Sequence, residues 1–197
     1  MRVQRFPAPG EKVSASDFIV TGGGCAANAA VAVARLKGRA VFSGPLGGMD
    51  DAVSNRIVAD LEAEGIDCGH IVRVRDAVAS VSLILLDAEG EKSIATRRGN
   101  GLNDALPADP ARLVADADAV LVDNRFPDFA MTVCKAARER GIPVVIDLDQ
   151  ATSRTIRCWR SARMSSPRRK RFTAPPARAT SRPGLRCLPR ATRASWR

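Results

Sequence analysis

Apolar residues recur along this chain with two periods, one typical of helices and the other typical of strands. Asp51–Glu64 has apolar residues at helical spacing and is followed by Gly65, so we predict a helix that ends there. Ser80–Asp87 and Lys92–Thr96 flank a short polar turn, which predicts a β-hairpin. Shorter extended segments are predicted at Arg2–Phe6, Lys12–Thr21, Ala40–Ser43 and Ile71–Val74.

The chain after residue 109 alternates helical and strand-like stretches. Two uniformly apolar stretches, Ala119–Val122 and Pro143–Ile146, are predicted strands, with helices over Pro110–Ala115 and Asp128–Arg140. Apolar strands joined through helices indicate a parallel sheet covered on both faces, and ligands of such sheets bind at the carboxyl ends of the strands. The residues at these two ends are Asp123, Asn124 and Arg125, and then Asp147, Leu148 and Asp149.

A turn of three glycines, Gly22–Gly24, leads directly into an alanine-rich stretch that ends near Lys37. This stretch is almost entirely apolar, so we predict a buried helix. A glycine turn before a helix exposes backbone N–H groups and the positive end of the helix dipole, and Asn28 adds a donor and an acceptor. Such a turn suits a polar or anionic small molecule. The alternative is a tight turn that only packs the helix against a sheet.

Charge divides the chain into two parts, residues 1–150 and 151–197. Residues 151–197 contain 13 Arg, one Lys and no acidic residue, a net charge of +14. The remaining 17 basic and 21 acidic residues give the first part a net charge of −4. The overall charge of +10 therefore describes the second part and not the predicted α/β domain.

Residues 151–197 lack a hydrophobic period, and we expect them to be disordered or irregular. Taken literally, they form a basic arm that binds nucleic acid through charge alone, densest at Arg168–Arg171. The second interpretation is an out-of-frame translation of a GC-rich gene. One permitted set of codons, read two bases later from Arg154, encodes an amphipathic helix, a strand and acidic residues. We favour this second interpretation.

Several function classes are excluded by composition. Five scattered cysteines without a Cys-x-x-Cys motif indicate reduced thiols in the cytoplasm, and argue against a disulfide framework or a zinc site. The single histidine, His70, excludes multi-histidine metal sites and His-based triads. Apolar runs are too short for a membrane span or a signal peptide, so we expect no metal site and no membrane contact.

The stretch Gly23–Ala30, followed by Gly47, resembles the first signature of the PfkB (ribokinase-like) carbohydrate kinases. Further similarity lies in Pro7–Lys12, Leu61–Asp67 and Asp118–Asp123. The resemblance covers residues 2–149 and is strongest to the ketohexokinase-like and sulfofructose-kinase-like bacterial sugar kinases. Lys37 departs from the signature, which has a small residue there, usually glycine; Gly38 is expected to compensate in part.

The resemblance implies a partial, Rossmann-like α/β fold with a small β lid. It also implies ATP- and Mg²⁺-dependent transfer of phosphate to a sugar hydroxyl, and a homodimer contact through the lid. Gly23, Gly24 and Asn28 would hold sugar hydroxyls, and the loop around Gly47 would border the same pocket. Arg125 lies where family members place a substrate-selecting residue, and its guanidinium would suit an anionic sugar derivative.

Two of these assignments have simpler alternatives. Lys12, on the presumed lid, would assist Arg125, although an exposed charge without a binding role is the favoured explanation. Asp123, Asp147 and Asp149 are interpreted as capping or solvated carboxylates and not as catalytic residues.

The second family signature, Asp-Thr-x-Gly-Ala-Gly-Asp, would supply the anion hole and the aspartate base. No Gly-x-Gly-Asp occurs in the 197 residues, and the family's first core strand with its sugar-binding aspartate is not recognisable either. Since phosphoryl transfer depends on positioned charge, we expect no catalytic residue and no productive ATP binding in this chain.

Two other functions remain open. Gly22, Gly24 and Ala27 also satisfy the dinucleotide fingerprint, with Asp50 and Asp51 at the distance of its acidic residue. An NAD-type protein would bind its cofactor without a sugar. A nucleic-acid-binding protein would use residues 151–197, with the α/β part as a carrier.

Overall fold

The computed structural model describes residues 1–147. The helices of this part are α1 (Cys25–Arg35), α2 (Ala52–Ala63), α3 (Pro110–Leu113) and α4 (Pro127–Glu139). Its strands are β1 (Arg2–Val3), β2 (Ala15–Asp17), β3 (Pro45–Gly47), β4 (Val72–Val74), β5 (Val81–Leu86), β6 (Lys92–Arg97), β7 (Val120–Asp123) and β8 (Val144–Asp147). The boundary predicted near residue 150 and the segment 151–197 lie outside the described residues.

The predicted hairpin is confirmed and belongs to a four-stranded sheet with the strand order β2-β1-β5-β6. β5 and β6 pair antiparallel, with Val81 opposite Arg97 and Leu86 opposite Lys92. The N-terminal extended segments supply β1 and β2, and β1 lies parallel to β5. This sheet is the small β layer that we call the lid.

The predicted βαβ unit is confirmed as well. β7 and β8 pair in parallel through α4, and Asp123 lies opposite Asp147 at their carboxyl ends. Val122 packs against Ala130 and Cys134 of α4, which forms the core beneath one sheet face. Burial raises the pKa of the Cys134 thiol to about 11, and that of Cys68 in the α1–α2 core to the same value.

Within residues 1–147, one face of these two strands is covered only in part. Leu121 is 41% exposed and Val145 is 55% exposed. In each strand, every second side chain faces α4. The side chains between them, which include Leu121 and Val145, lie on the other face, and no described helix covers that face fully.

The predicted burial of the first helix is wrong. α1 buries only Val31 fully, while Val33 is 42% exposed. Val31 packs with Leu61 of α2 and with Ile66 and Cys68, so one side of α1 faces this core and its other side faces outward. An all-apolar helix predicts burial on every side, but in residues 1–147 the side of α1 that carries Val33 is left exposed.

The strand expected at Ala40–Ser43 lies further along the chain. Val41 forms only an isolated parallel bridge to Asp67, whereas β3 occupies Pro45–Gly47 and pairs with β4. The segment expected to be a loop at Gly44–Gly48 therefore contains a strand, and its residues from Pro45 onward are buried. Pro45 starts β3, the position in a strand where a missing N–H group is tolerated.

Asp51 joins three elements. It caps α2, because its Oδ2 accepts from the backbone N–H of Ser54 at 3.2 Å and from the Ser54 hydroxyl at 2.6 Å. The same oxygen accepts from the Ala79 N–H at 2.9 Å, just before β5. The Gly47 N–H donates to Ser54 Oγ at 2.8 Å, so the end of β3 joins this network. Asp51 thus attaches the base of the lid to α2 and β3.

Three helices end in the same motif. In α2 and α4 the residue after the C-cap is Gly65 or Gly141, with φ of 78° and 72°. In α1 this residue is Lys37, with φ of 68°. The Gly38 N–H bonds to the Val33 carbonyl and the Lys37 N–H to that of Ala34, which is the Schellman pattern. Lys37 itself, and not Gly38, therefore adopts the left-handed conformation.

Candidate functional site

The glycine turn lies open on the surface before α1. A Cβ atom at Gly22, Gly23 or Gly24 would meet no described atom within 4 Å. Packing therefore does not explain glycine at Gly22 and Gly23. Gly24 has φ 96° and ψ 142°, a backbone conformation that is essentially restricted to glycine.

The first turn of α1 follows this open turn. Gly24 is its N-cap, and no side chain in residues 1–147 caps the helix. α2 and α3 differ, since Asp51 and Asp109 accept from their backbone N–H groups. Asn28 lies one turn into α1 and is exposed. The backbone donors and the positive end of the helix dipole thus border an open surface. Whether Asn28 joins them in binding a polar small molecule stays a prediction.

Gly47 has a packing role. It is buried in β3, and a Cβ there would lie 2.5 Å from the Ala77 carbonyl oxygen and 2.8 Å from the Asp51 Cβ. Only glycine allows this approach of the backbone around Ala77. The place of Gly47 in a ligand site stays a prediction.

Arg125 follows β7 and is held in place from two sides. Its Nη2 donates to Ser80 Oγ at 2.8 Å, and its guanidinium carbon lies 5.0 Å from the centre of the Phe126 ring. Burial lowers the pKa of Arg125, the charge of Arg98 lowers it further, and Asp123 opposes both. Arg125 stays a cation, in surroundings that favour an added negative charge.

Lys12 is exposed, on the chain between β1 and β2. The turn before it is fixed by Glu11, which pairs with Arg5 and accepts from the Ala8 N–H. The hydrogen bond from the Arg5 side chain, together with the one from the Ala8 backbone N–H, lowers the pKa of Glu11 to about 2. No hydrogen bond or ion pair joins Lys12 to Arg125 within residues 1–147.

Asp123 acts as a local cap, because its Oδ1 accepts from the backbone N–H of Arg125 at 2.9 Å. Asp147 is exposed beside it, and Asp149 lies outside the described residues. Within residues 1–147, no three His, Cys, Asp or Glu side chains come together where they could hold a metal ion. No helix in the same range is both long and apolar enough to cross a membrane.

Two residues near Arg125 were missed from the sequence. Ser80 precedes β5 and Arg98 follows β6, so the pairing of Val81 with Arg97 brings the two chain ends together. The Gly99 N–H donates to Ser80 Oγ at 2.9 Å. The hairpin pattern in the sequence indicates that Ser80 and Arg98 lie close together. The approach of Arg125 to Ser80 depends on tertiary packing, which the sequence pattern does not show.

Comparison with protein families identifies the lineage. The family model described as pfkB family carbohydrate kinase matches residues 1–166. This chain belongs to the pfkB family. The match includes the glycine turn, the lid and the βαβ unit, and it confirms the resemblance. The ketohexokinase-like or sulfofructose-kinase-like subfamily stays a prediction.

Individual relatives agree with the family. An ATP-dependent ribose-1-phosphate kinase from Halopiger xanaduensis is 32% identical over 149 residues, which are 75% of this chain and 49% of that protein. A crystal structure of a candidate ribokinase from Agrobacterium tumefaciens superimposes with a TM-score of 0.75 at 34% identity, covering 82% of this chain and 52% of that one.

The ribokinase of Arabidopsis thaliana, solved in complex with ribose and ATP, gives a TM-score of 0.63 at 28% identity, over 76% of this chain and 49% of that one. This pfkB chain therefore has the ribokinase fold, and it spans about half the length of these relatives.

Proposed function

We propose that residues 1–147 form the sugar-binding part of an ATP-dependent carbohydrate kinase that acts in the cytoplasm. The observation that carries this proposal is the open glycine turn before the uncapped first turn of α1. Its place in the family signature, and the relative solved with ribose and ATP, support a sugar as the ligand.

Each residue of this turn has a distinct role in the proposal. Gly23 and Gly24 let sugar hydroxyls approach the backbone closely, which a side chain would prevent. Asn28 donates to one hydroxyl and accepts from another through its amide. Gly47 fixes the neighbouring backbone, while Arg125 and Lys12 select a negatively charged sugar derivative.

ATP and Mg²⁺ belong to the proposed reaction of the whole kinase. When bound, ATP donates the phosphate and Mg²⁺ neutralises its developing charge. The described residues do not fit a Mg²⁺ site, since Asp123 is bonded to the Arg125 backbone and only Asp147 lies beside it. The part of the reaction assigned to these residues is the binding and orientation of the sugar.

The 197 residues alone are proposed to be catalytically inactive, because their sequence has no Gly-x-Gly-Asp to supply the base and the anion hole. A coupled assay with ATP, Mg²⁺ and D-ribose or D-fructose is expected to show no turnover above the background. Sugar-dependent ADP release by the purified chain would contradict this part of the proposal.

The lid is the proposed contact surface of a homodimer. Its strands expose large apolar side chains on both faces, since Leu83 is 48% exposed and Ile84 is 45% exposed. These two neighbours in β5 point to opposite faces. A second copy of the chain that pairs with this sheet would cover one of them.

Sugar binding can be tested by calorimetric titration of the full chain with D-ribose and with D-fructose. We expect saturable binding of at least one sugar, and Asn28→Ala should weaken it about tenfold through the loss of amide hydrogen bonds. Asn103→Ala, in an exposed loop, is the matched control and should change nothing. Binding of neither sugar, or equal binding by Asn28→Ala, would contradict the proposal.

The NAD-type alternative is disfavoured by the position of Asp51. The fingerprint needs a carboxylate that receives the ribose hydroxyls of the dinucleotide. Oδ2 of Asp51 already accepts three hydrogen bonds, from two Ser54 groups and from Ala79. Asp50 is exposed and lies beyond the end of β3.

A further inference from the structure

Two short segments form the base of the lid. Residues 77–80 lead into β5, and residues 98–101 leave β6. A Cβ atom at Gly99 would lie 2.2 Å from the carbonyl oxygen of Val78, so the two segments cross in close contact. Ala79, in the first segment, is only 2% exposed. The base of the lid is therefore closely packed.

Asp51 holds this base from the side of α2. Its Oδ2 accepts from the Ala79 N–H at 2.9 Å, and from the N–H and hydroxyl of Ser54 at 3.2 Å and 2.6 Å. Ser54 is fully buried, which fixes the carboxylate at the start of α2. A Cβ at Gly47 would lie 2.5 Å from the Ala77 carbonyl oxygen, so β3 packs on the same segment.

A second side chain holds the base from the side of β7. Arg125 Nη2 donates to Ser80 Oγ at 2.8 Å, one residue after the Ala79 N–H that Asp51 binds. A single bond would leave the lid free to pivot about that bond, whereas two bonds from different elements fix its orientation. Asp51 and Arg125 together therefore determine how the lid sits on the α/β layer.

The lid strands transmit this orientation to the glycine turn. β5 pairs with β1, and β1 pairs with β2. Residues 18–24 lead from β2 to α1 and include the glycine turn. Phe18 is 63% exposed, and a Cβ at Gly23 would meet no described atom within 4 Å, so this connection has little packing of its own. Its position depends on where the lid is held.

We propose that Asp51 is a positioning residue for the sugar, because its bond to Ala79 keeps the lid and the glycine turn in the orientation that binds the sugar. This inference rests on the proposed sugar-binding function. Asp51 acts through the backbone that it holds, and its Oδ2 bonds are made to Ser54 and Ala79. Without the bond to Ala79, the lid can pivot about the bond between Ser80 and Arg125. The apparent affinity then falls with the fraction of molecules that keep the binding orientation.

The test is calorimetric titration of the full chain and its variants with D-ribose and with D-fructose. Asp51→Ala should weaken binding of the sugar that the wild-type chain binds by about tenfold, as expected if about a tenth of the molecules keep the binding orientation. Asp51→Asn should recover most of the affinity, because its amide oxygen can still accept from the Ala79 N–H. An Asp51→Asn chain that binds as weakly as Asp51→Ala would overturn the role of this hydrogen bond.

Asp109→Ala is the matched control for stability. Asp109 caps α3 by accepting from the Arg112 N–H at 2.9 Å, so its loss also removes an N-cap carboxylate but leaves the bond between Asp51 and Ala79 in place. Urea titration measures how far each variant is destabilised. Asp109→Ala should keep the wild-type affinity, whereas Asp51→Ala should not.

Hydrogen–deuterium exchange of the wild-type chain decides if circular dichroism shows that Asp51→Ala is unfolded. Coupling between two sites is reciprocal, so a sugar that prefers the held orientation must itself strengthen the attachment of Ala79 to Asp51. Exchange in a peptide that covers residues 76–80 should slow when the sugar saturates the chain. Unchanged exchange in this peptide with the sugar bound would overturn the proposal.

The failure of this inference differs from the failure of the proposed function. Equal affinities of Asp51→Ala and the wild-type chain overturn the positioning role and leave the sugar-binding function intact. Equal weakening by Asp51→Ala and Asp109→Ala overturns it as well, because the loss then follows stability alone. If the wild-type chain binds neither sugar, both proposals fail.

Discussion

At the scale of single residues, Lys37 is the clearest departure from what the backbone favours. It takes the left-handed conformation at the end of α1, which glycine takes at the ends of α2 and α4. A side chain in this conformation is strained by contact between Cβ and the backbone. Gly38 does not relieve this strain, because Lys37 and not Gly38 occupies the left-handed position. Gly38 instead allows close packing, since a Cβ there would lie 2.8 Å from Val33 Cγ1.

Lys37→Gly is therefore expected to stabilise the chain by about 1 kcal/mol. The measurement is the free energy of unfolding from urea titration. Gly65→Lys and Gly141→Lys are the mirror controls, and each should destabilise by a similar amount. A neutral or destabilising effect of Lys37→Gly would show that the left-handed position is not strained.

At the scale of secondary-structure elements, Asp51 holds the lid base, α2 and β3 together. Burial raises the pKa of Asp51, but hydrogen bonds from Ser54 and Ala79 outweigh burial and hold that pKa below its ordinary value. Because its pKa is lower in the folded state than in the unfolded state, ionised Asp51 stabilises the fold. This stabilisation is fully present at pH values above the unfolded pKa of about 4, and it is lost as the pH falls through the folded pKa.

Asp51→Ala should lower the free energy of unfolding by about 1–2 kcal/mol at pH 7, the usual cost of a lost N-cap. The difference from the wild-type chain should shrink as the pH falls below 4. Urea titrations at pH 7 and pH 3 measure both effects, with exposed Asp50→Ala as the control. A difference that stays constant between the two pH values would refute the role of the ionised carboxylate.

The elements with a clear local period could be predicted from the sequence. The hairpin and the βαβ unit follow from alternating apolar residues and from helical spacing, and α2 ends at Gly65 as expected. β3 could not be predicted, because Pro45 and Gly47 suggest a turn. Glycine is needed at position 47 because the backbone of Ala77, which is distant in sequence, packs against it. Packing between segments far apart in sequence decides such a strand.

The candidate site shows the same division. The glycine turn and the first turn of the helix adjoin in sequence, which predicts that Gly23, Gly24 and Asn28 lie close together. The bond between Arg125 and Ser80 joins residues 45 positions apart and depends on how the lid meets β7. Burial of α1 was overestimated because apolar composition does not reveal which side has a neighbour.

At the scale of the whole molecule, the charge of residues 151–197 makes a separate prediction. If this segment binds nucleic acid only by charge, the affinity of the full chain for a random RNA oligonucleotide should fall steeply with salt. Deletion of residues 151–197 removes a net charge of +14 and should abolish the binding. Filter binding at NaCl concentrations between about 50 and 200 mM tests both expectations. Roughly over this range, the affinity of a protein that binds nucleic acid through phosphate contacts falls by orders of magnitude.

Sequence-selective RNA binding that persists at the higher salt would contradict this interpretation, and would give residues 151–197 a function of their own. The out-of-frame interpretation is tested separately, by resequencing the gene across the codons for Asp149–Arg160. A corrected frame that encodes a Gly-Ala-Gly-Asp motif would support it, and an unchanged sequence would refute a sequencing error.

The central claim is that the open glycine turn is where this pfkB chain binds its sugar. Hydrogen–deuterium exchange of the full chain, with and without saturating D-ribose or a ribose phosphate, tests it at the level of the backbone. Exchange should slow in peptides that cover Gly22–Ala29, while peptides of α4 stay unchanged. Unchanged exchange at Gly22–Ala29 with a ligand bound, or protection confined to other segments, would contradict the claim.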